Sequence, residues 1–160
     1  MRPDPMRESV YQAERQVFRV LERPGMVDFF GSQLTIASEV WFKSIDEIQN
    51  YVNKVIEAIA SDWVGLTPIL VRQRKGQTKA HYEFDKNVIA IPTETNWAMR
   101  EMVVLHEIAH HLTWFDAPDA QAHGLEYVAN YLFLVSHFMG QEVALLLTAA
   151  FDGQEIVVTR

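Results

Sequence analysis

Residues 104–113 read Val-Leu-His-Glu-Ile-Ala-His-His-Leu-Thr, and this stretch decides how the rest of the chain is interpreted. On a helix, the four-residue spacing places His106 and His110 on one face, one turn apart. Almost all flanking positions are apolar, namely Met99, Met102, Val103, Leu105, Ile108, Ala109 and Leu112. The pattern predicts a buried helix, and because bare imidazoles and a carboxylate are costly to bury, these groups need partners.

A divalent metal ion is the partner that the pattern favours. Imidazole nitrogens bind zinc at about 2.0–2.1 Å, and one helical turn lets both rings reach one ion while coordination positions stay open. Glu107 lies about 100° round the helix from His106, so it can accept a proton from water without being a ligand. The alternative is a surface helix carrying these residues by chance, in roughly one chain of this size in a few hundred. The apolar flanks argue against it.

A catalytic zinc takes a third protein ligand, and five downstream residues are candidates: His111, Asp116, Asp119, His123 and Glu126. His111 is expected to point away from His106. We predict His123, because the turn from Asp116 to Asp119 can fold the chain back and His123 would open the next helix. Glu126 is the rival ligand. Otherwise Glu126, Asp116 or Asp119 could orient a ligating imidazole, or simply cap the helix start.

The chemistry that these parts predict is amide hydrolysis by water, with Glu107 as general base. The oxyanion of the transition state would need a further donor. Tyr127, Tyr131, His81 and Tyr82 are unranked candidates, although tyrosines at helical spacing are more typical of a core. His137 is expected to be structural.

Composition limits the alternatives. A chain of 160 residues with 49% hydrophobic side chains fits one domain, here predicted over residues 1–160 with about 1–6 disordered. The absence of cysteine excludes thiolate zinc sites and disulfides. No apolar run of about 18 residues occurs, and Met1–Glu8 is polar where a secretory leader would be apolar, so we expect a cytoplasmic protein with no membrane partner. The oligomeric state is left open.

Charge is unevenly distributed. Residues 101–160 carry eight acidic side chains and one basic side chain, within a net charge of −7. An acidic field attracts cations and repels phosphate, so the charge disfavours nucleic-acid binding. Arg72, Arg74, Lys75 and Lys79 form a basic cluster, which we interpret as a solvated hairpin turn because no aromatic residues are interleaved with it.

Periodicity predicts an α+β fold, in which a small antiparallel or mixed sheet packs on the motif helix and on further C-terminal helices. The predicted helices cover residues 9–22, with residues 17–21 alternatively a strand, and residues 45–61, 97–113, 119–138 and 141–150. Ser44 and Glu47 predict a capping box at the second of these helices. Strands are predicted at 33–37, 68–72, 80–84 and 88–91, the last two as a hairpin.

The segment from Trp97 to Val128, with Leu-His-Glu-Ile-Ala-His-His and a later His-Gly-Leu-Glu-Tyr-Val, resembles the zincin metallopeptidases. It is most similar to a family of small actinobacterial metallohydrolases. This resemblance implies one zinc ion held by His106, His110 and His123, with Glu107 catalytic. The SprT-like proteases are similar only in the helical part, and this chain lacks their cysteine zinc ribbon. Metzincins are excluded, because no Gly and third His follow His110 at short spacing.

By analogy with that family, the hairpin over residues 80–91 would border the cleft and could pair with an extended peptide or protein substrate. The leading hypothesis is a zinc metallopeptidase or a related hydrolase of amides or esters. The alternative is a regulatory or phage-type binding protein with a structural or vestigial metal. Glu107 favours catalysis, because a purely structural site has no use for a carboxylate beside its ligand.

Overall fold

The computed structural model describes residues 3–76 and 78–158. Within them the chain is α+β, as predicted, with five α-helices and two small sheets. The fold divides into two compact units, the first formed by residues 1–39 and 119–160 and the second by residues 40–118.

The first unit contains three helices and a hairpin. Helix α1 is Arg7–Leu21, strands β1 (Gly25–Phe29) and β2 (Ser32–Ile36) pair antiparallel, and helices α4 (Leu125–Phe138) and α5 (Gln141–Gly153) follow later in the chain. Helix α5 packs on α1, α4 and β2. The core of this unit therefore forms around one helix, and the apolar residues of α1 recur every three or four positions on the buried face, at Val10, Ala13, Val17 and Leu21.

Three sequence predictions for this unit need correction. Residues 17–21 are helical, because the apolar stripe of α1 continues through them, so the strand alternative is wrong. Strand β1 was not predicted. Its burial alternates, but no residue of Gly25–Phe29 is fully buried and the exposed Met26 is apolar, so the sequence pattern is weak. The helix predicted from residue 119 begins at Leu125, and residues 117–124 connect α3 to α4 without regular structure.

The second unit contains helix α2 (Ile45–Ile59), strands β3 (Leu70–Arg74), β4 (His81–Glu83) and β5 (Val88–Pro92), a short 3₁₀ helix (Asn96–Ala98) and helix α3 (Glu101–Asp116). Helix α2 begins where it was predicted to begin. The Ser44 side chain accepts a hydrogen bond of 3.1 Å from the Glu47 N–H, and the Glu47 carboxylate accepts one of 2.8 Å from the Lys43 N–H. The second bond comes from one residue before the position that a capping box uses.

The sheet of this unit is mixed, with the order β3-β5-β4. Strands β4 and β5 form the predicted antiparallel hairpin, and β3 runs parallel to β5. Because β5 lies between β3 and β4, the segment with the basic cluster is a crossing connection, and its interpretation as a hairpin turn is wrong. Arg72 forms an ion pair with Glu83 on β4, and Arg74 Nη1 donates a hydrogen bond of 2.6 Å to the Lys79 carbonyl.

Helix α3 packs on α2 and on the edge strand β4. Every residue from Glu101 to Thr113 is buried, as the apolar flanks of the motif predicted. The predicted span of residues 97–113 is shifted, because the 3₁₀ turn takes up residues 96–98 and the α-helix starts at Glu101.

Candidate metal centre

The two motif histidines lie on one buried face of α3. The ring centroids of His106 and His110 are 5.2 Å apart, with the planes inclined by 68°. Their exposed fractions are only 4% and 6%, and that of Glu107 is 4%. The predicted arrangement of two imidazoles one turn apart, with a buried carboxylate on the same helix, is therefore present within the second unit.

The N-terminal end of α3 is fixed by a second buried carboxylate. Glu101 accepts a hydrogen bond of 2.5 Å from the Tyr51 hydroxyl on α2 and one of 3.4 Å from the Val40 N–H. The Glu101 N–H in turn donates to the Val40 carbonyl at 3.0 Å. A carboxylate in the first helical turn also interacts favourably with the helix dipole. These contacts hold α3 at the end from which the motif follows one turn later.

His111 has a structural role, consistent with the prediction that it is not a ligand. Its Nε2 lies 2.8 Å from the Thr67 carbonyl, and its Nδ1 lies 2.7 Å from the Tyr82 hydroxyl. Because a carbonyl can only accept, Nε2 carries the hydrogen and Nδ1 accepts from Tyr82. Burial lowers the pKa of His111, against an opposing effect of the Thr67 carbonyl, so the ring is held neutral. This histidine fastens β4 to α3.

His123, the predicted third ligand, lies in the first unit and is buried. It precedes α4 and its N-cap Gly124 and so does not itself open the helix. Its Nδ1 is 2.7 Å from Asp4 Oδ2, and its backbone N–H donates to Asp4 Oδ1 at 3.3 Å. Its ring also meets those of Tyr11 and Tyr127 edge to face. With the Nδ1 hydrogen donated to the carboxylate, Nε2 carries the lone pair that a metal would use.

The His-Gly pair at 123 and 124 has a steric reason. A Cβ on Gly124 would lie 3.2 Å from the Gln121 Cβ and 3.4 Å from the Gln121 carbonyl oxygen. The Gly124 N–H donates to that same carbonyl at 3.1 Å. Glycine therefore lets the chain turn tightly just after His123 and then enter α4.

The acidic candidates lie in other surroundings. Glu126 is exposed in the first turn of α4, where its charge suits the helix start. Asp116 Oδ2 accepts a hydrogen bond of 2.8 Å from Trp63 Nε1. Asp119 lies in the connection before α4. The carboxylate that holds His123 is Asp4, which the sequence analysis missed.

The four candidate oxyanion donors all make other contacts or are buried in a core. The Tyr131 hydroxyl donates to Glu14 Oε2 at 2.5 Å, and burial beside that carboxylate raises the pKa of Tyr131 well above 10.0. The Tyr82 hydroxyl donates a hydrogen bond to His111 Nδ1. His81 Nε2 lies 3.5 Å from Glu83 Oε1, and burial with nearby Arg74 lowers the pKa of His81. The fourth candidate, Tyr127, is fully buried in the first unit.

Three buried histidines, His106, His110 and His123, could hold a metal ion. A cleft of about 830 Å³ in the second unit lies elsewhere, at the start of α2, and none of its lining residues belongs to α3.

Among the described residues, no helix combines the length and the apolar character that crossing a membrane requires. Comparison with protein-family models, with curated proteins and with solved structures gave no match.

Proposed function

We propose that this protein is a zinc-dependent hydrolase, a metallopeptidase of zincin-like fold, in which His106, His110 and His123 hold one zinc ion and Glu107 is the general base. The observation that carries the proposal is the pair of buried imidazoles on α3, whose ring centroids are 5.2 Å apart, with the buried Glu107 on the same helix.

The donor set fits zinc. Imidazole is a preferred zinc ligand, and the chain contains no cysteine that could compete for the ion or change the type of site. A structural zinc site takes four protein ligands, whereas a catalytic one takes three and keeps a position for water or substrate. Three histidines correspond to the catalytic pattern.

The connection between α3 and α4 is long enough for His123 to serve. His110 lies six residues before the end of α3, which is about 9 Å along the axis at 1.5 Å per residue. Residues 117–123 can span roughly 23 Å when extended. The chain can therefore return His123 to the level of His110. Asp4 supports the role of His123 because a carboxylate on one ring nitrogen fixes the tautomer and strengthens the other nitrogen as a ligand.

Glu107 would supply the proton transfer. Zinc, when bound, polarises a carbonyl and lowers the pKa of water. The Glu107 carboxylate then accepts the proton of the attacking water and returns it to the leaving amine, so that no charged amide anion has to depart. Glu107 is buried, and the water-poor surroundings strengthen its interaction with the developing charge.

A peptide or protein is the substrate class we propose, and the cytoplasm is the proposed location. The acidity of residues 101–160 supports a cation site and disfavours nucleic acid as a partner.

The test combines metal analysis with a turnover assay. Zinc content and hydrolysis of a mixed peptide library are measured for the wild type, Glu107→Gln, His123→Ala and Glu126→Ala. We expect one zinc per chain in the wild type and in Glu107→Gln, with turnover lowered roughly 10²- to 10⁴-fold in the latter. His123→Ala should lose zinc, and Glu126→Ala should retain it.

Two results would change the proposal. Loss of zinc in Glu126→Ala but not in His123→Ala would replace the third ligand. Zinc binding without any hydrolysis, with Glu107→Gln indistinguishable from the wild type, would favour the alternative of a binding protein whose metal is structural.

A further inference from the structure

Two partly exposed aromatic side chains lie beside the motif in the second unit. Phe84, directly after β4, makes edge-to-face contacts with His110 at 5.6 Å and with Trp114 at 5.7 Å between ring centroids. Trp114 lies four residues after His110 and so on the same face of α3. Phe84 is 36% exposed and Trp114 is 38% exposed, so both present apolar surface to solvent.

We propose that Phe84 and Trp114 form an aromatic subsite that selects substrates with a large apolar side chain next to the scissile bond. This proposal rests on the hydrolase function above. Because Phe84 contacts the ring of a proposed ligand directly, a carbonyl held at the metal would place its neighbouring side chain within reach of these two rings. When an apolar side chain of the substrate contacts this half-exposed aromatic pair, water is removed from both apolar surfaces. This burial favours binding.

The subsite is held in position before any ligand binds. The Tyr82 ring contacts His111 and the Phe84 ring contacts His110, so both side chains face α3, and their ring centroids are 5.3 Å apart. The hydrogen bond of 2.7 Å between the Tyr82 hydroxyl and His111 Nδ1 attaches this part of the hairpin to α3. Phe84 is therefore ordered before the substrate binds. Binding then loses little side-chain entropy, which favours affinity.

The test uses two zinc-binding probes that differ only in the side chain, N-acetylphenylalanine hydroxamate and N-acetylglycine hydroxamate. Their dissociation constants for the zinc-loaded full chain are measured by calorimetry, and the hydroxamate–metal contribution cancels in the ratio. We expect the phenylalanine probe to bind roughly 10- to 100-fold tighter, the range for burying one large apolar side chain. Phe84→Ala and Trp114→Ala should each reduce that ratio several-fold.

Phe115→Ala is the matched control. Phe115 is 41% exposed on the same helix but lies five residues after His110, on another face, so its removal should leave the ratio unchanged. Zinc content is measured for every variant, which separates loss of the subsite from loss of His110 as a ligand. The same pair of side chains is then compared in peptide substrates, where the preference should appear in kcat/KM.

The outcomes separate the two proposals. Zinc binding and a side-chain preference without turnover would overturn the hydrolase and retain the subsite as a binding feature. Equal affinity for both probes, or an equal loss in Phe115→Ala, would overturn the subsite alone. Tighter binding of a lysine hydroxamate than of the phenylalanine probe would overturn the apolar preference in favour of a cation–π contact. A chain that binds no zinc would overturn both proposals.

Discussion

Replacing Asp4 by alanine should weaken zinc binding although Asp4 is not itself a proposed ligand. Asp4 accepts two hydrogen bonds from one residue, at 2.7 Å from the His123 ring nitrogen Nδ1 and at 3.3 Å from the His123 backbone N–H. The alanine variant leaves the buried ring without the acceptor that fixes its tautomer and orientation. Loss of such a partner costs roughly 10- to 100-fold in metal affinity, or about 1.4–2.7 kcal/mol.

Asparagine at position 4 should have a smaller effect, below about tenfold. Its amide oxygen can still accept a hydrogen bond from Nδ1, but it carries no charge and therefore makes the ring a weaker ligand. The expected order of zinc affinity is wild type, then Asp4→Asn, then Asp4→Ala. Competition with a chromogenic chelator measures the affinity, and thermal unfolding of the metal-free proteins measures any separate loss of stability.

Asp28→Ala is the control, because Asp28 Oδ1 also accepts a bond from a backbone N–H in the first unit, that of Gly31, at 3.1 Å. Among the residues that the structure describes, the Asp28 carboxylate accepts no hydrogen bond from a proposed ligand. If Asp4→Ala bound zinc as tightly as the wild type, or if Asp28→Ala weakened binding as much, the reasoning that Asp4 orients a ligand would be refuted.

The remaining predictions concern stability measured by urea unfolding. Tyr131→Phe removes the hydrogen bond to the buried Glu14 and should lower the unfolding free energy by about 1.5–3 kcal/mol. The folded-state pKa of Tyr131 lies above the unfolded value of 10.0, so its contribution to the unfolding free energy is present below pH 10 and declines as pH rises further. Tyr131→Phe should flatten that decline. An unchanged pH profile would contradict this prediction. Tyr82→Phe removes the bond to His111 and should cost about 1–2 kcal/mol, whereas no loss would mean that this bond does not hold the hairpin. Ser44→Ala removes the cap of α2 and should cost about 1 kcal/mol; a neutral result would contradict the capping role.

The parts of the fold that sequence predicted are those with a local physical signal. Helix α2 has both an apolar repeat and a capping serine, so its start at Ile45 was predicted to the residue. The hairpin of β4 and β5 has alternating or continuous apolar strands around a short polar turn. The burial of α3 was predicted from its apolar flanks.

One error came where a strand distant in sequence decides the structure, and another where the local pattern of the strand is weak. The connection after Arg72 was interpreted as a hairpin turn, because nothing local reveals that Val88–Pro92 inserts between the strands on either side. Strand β1 was missed because its burial alternates without any fully buried residue and the exposed Met26 is apolar, so the sequence shows little apolar–polar alternation.

For His123, the type of partner could be anticipated from the sequence, but the position of that partner in the chain could not. From the sequence, orienting a ligating imidazole was one role considered for the carboxylate of Glu126, Asp116 or Asp119. Of these, Asp116 accepts a hydrogen bond from Trp63, and Glu126 is exposed in the first turn of α4. The carboxylate is supplied by Asp4, 119 positions away, from a segment that had been predicted to be disordered. A buried imidazole fixes the chemistry of its partner but leaves the partner's position in the sequence open, because any chain segment that reaches the ring can provide it.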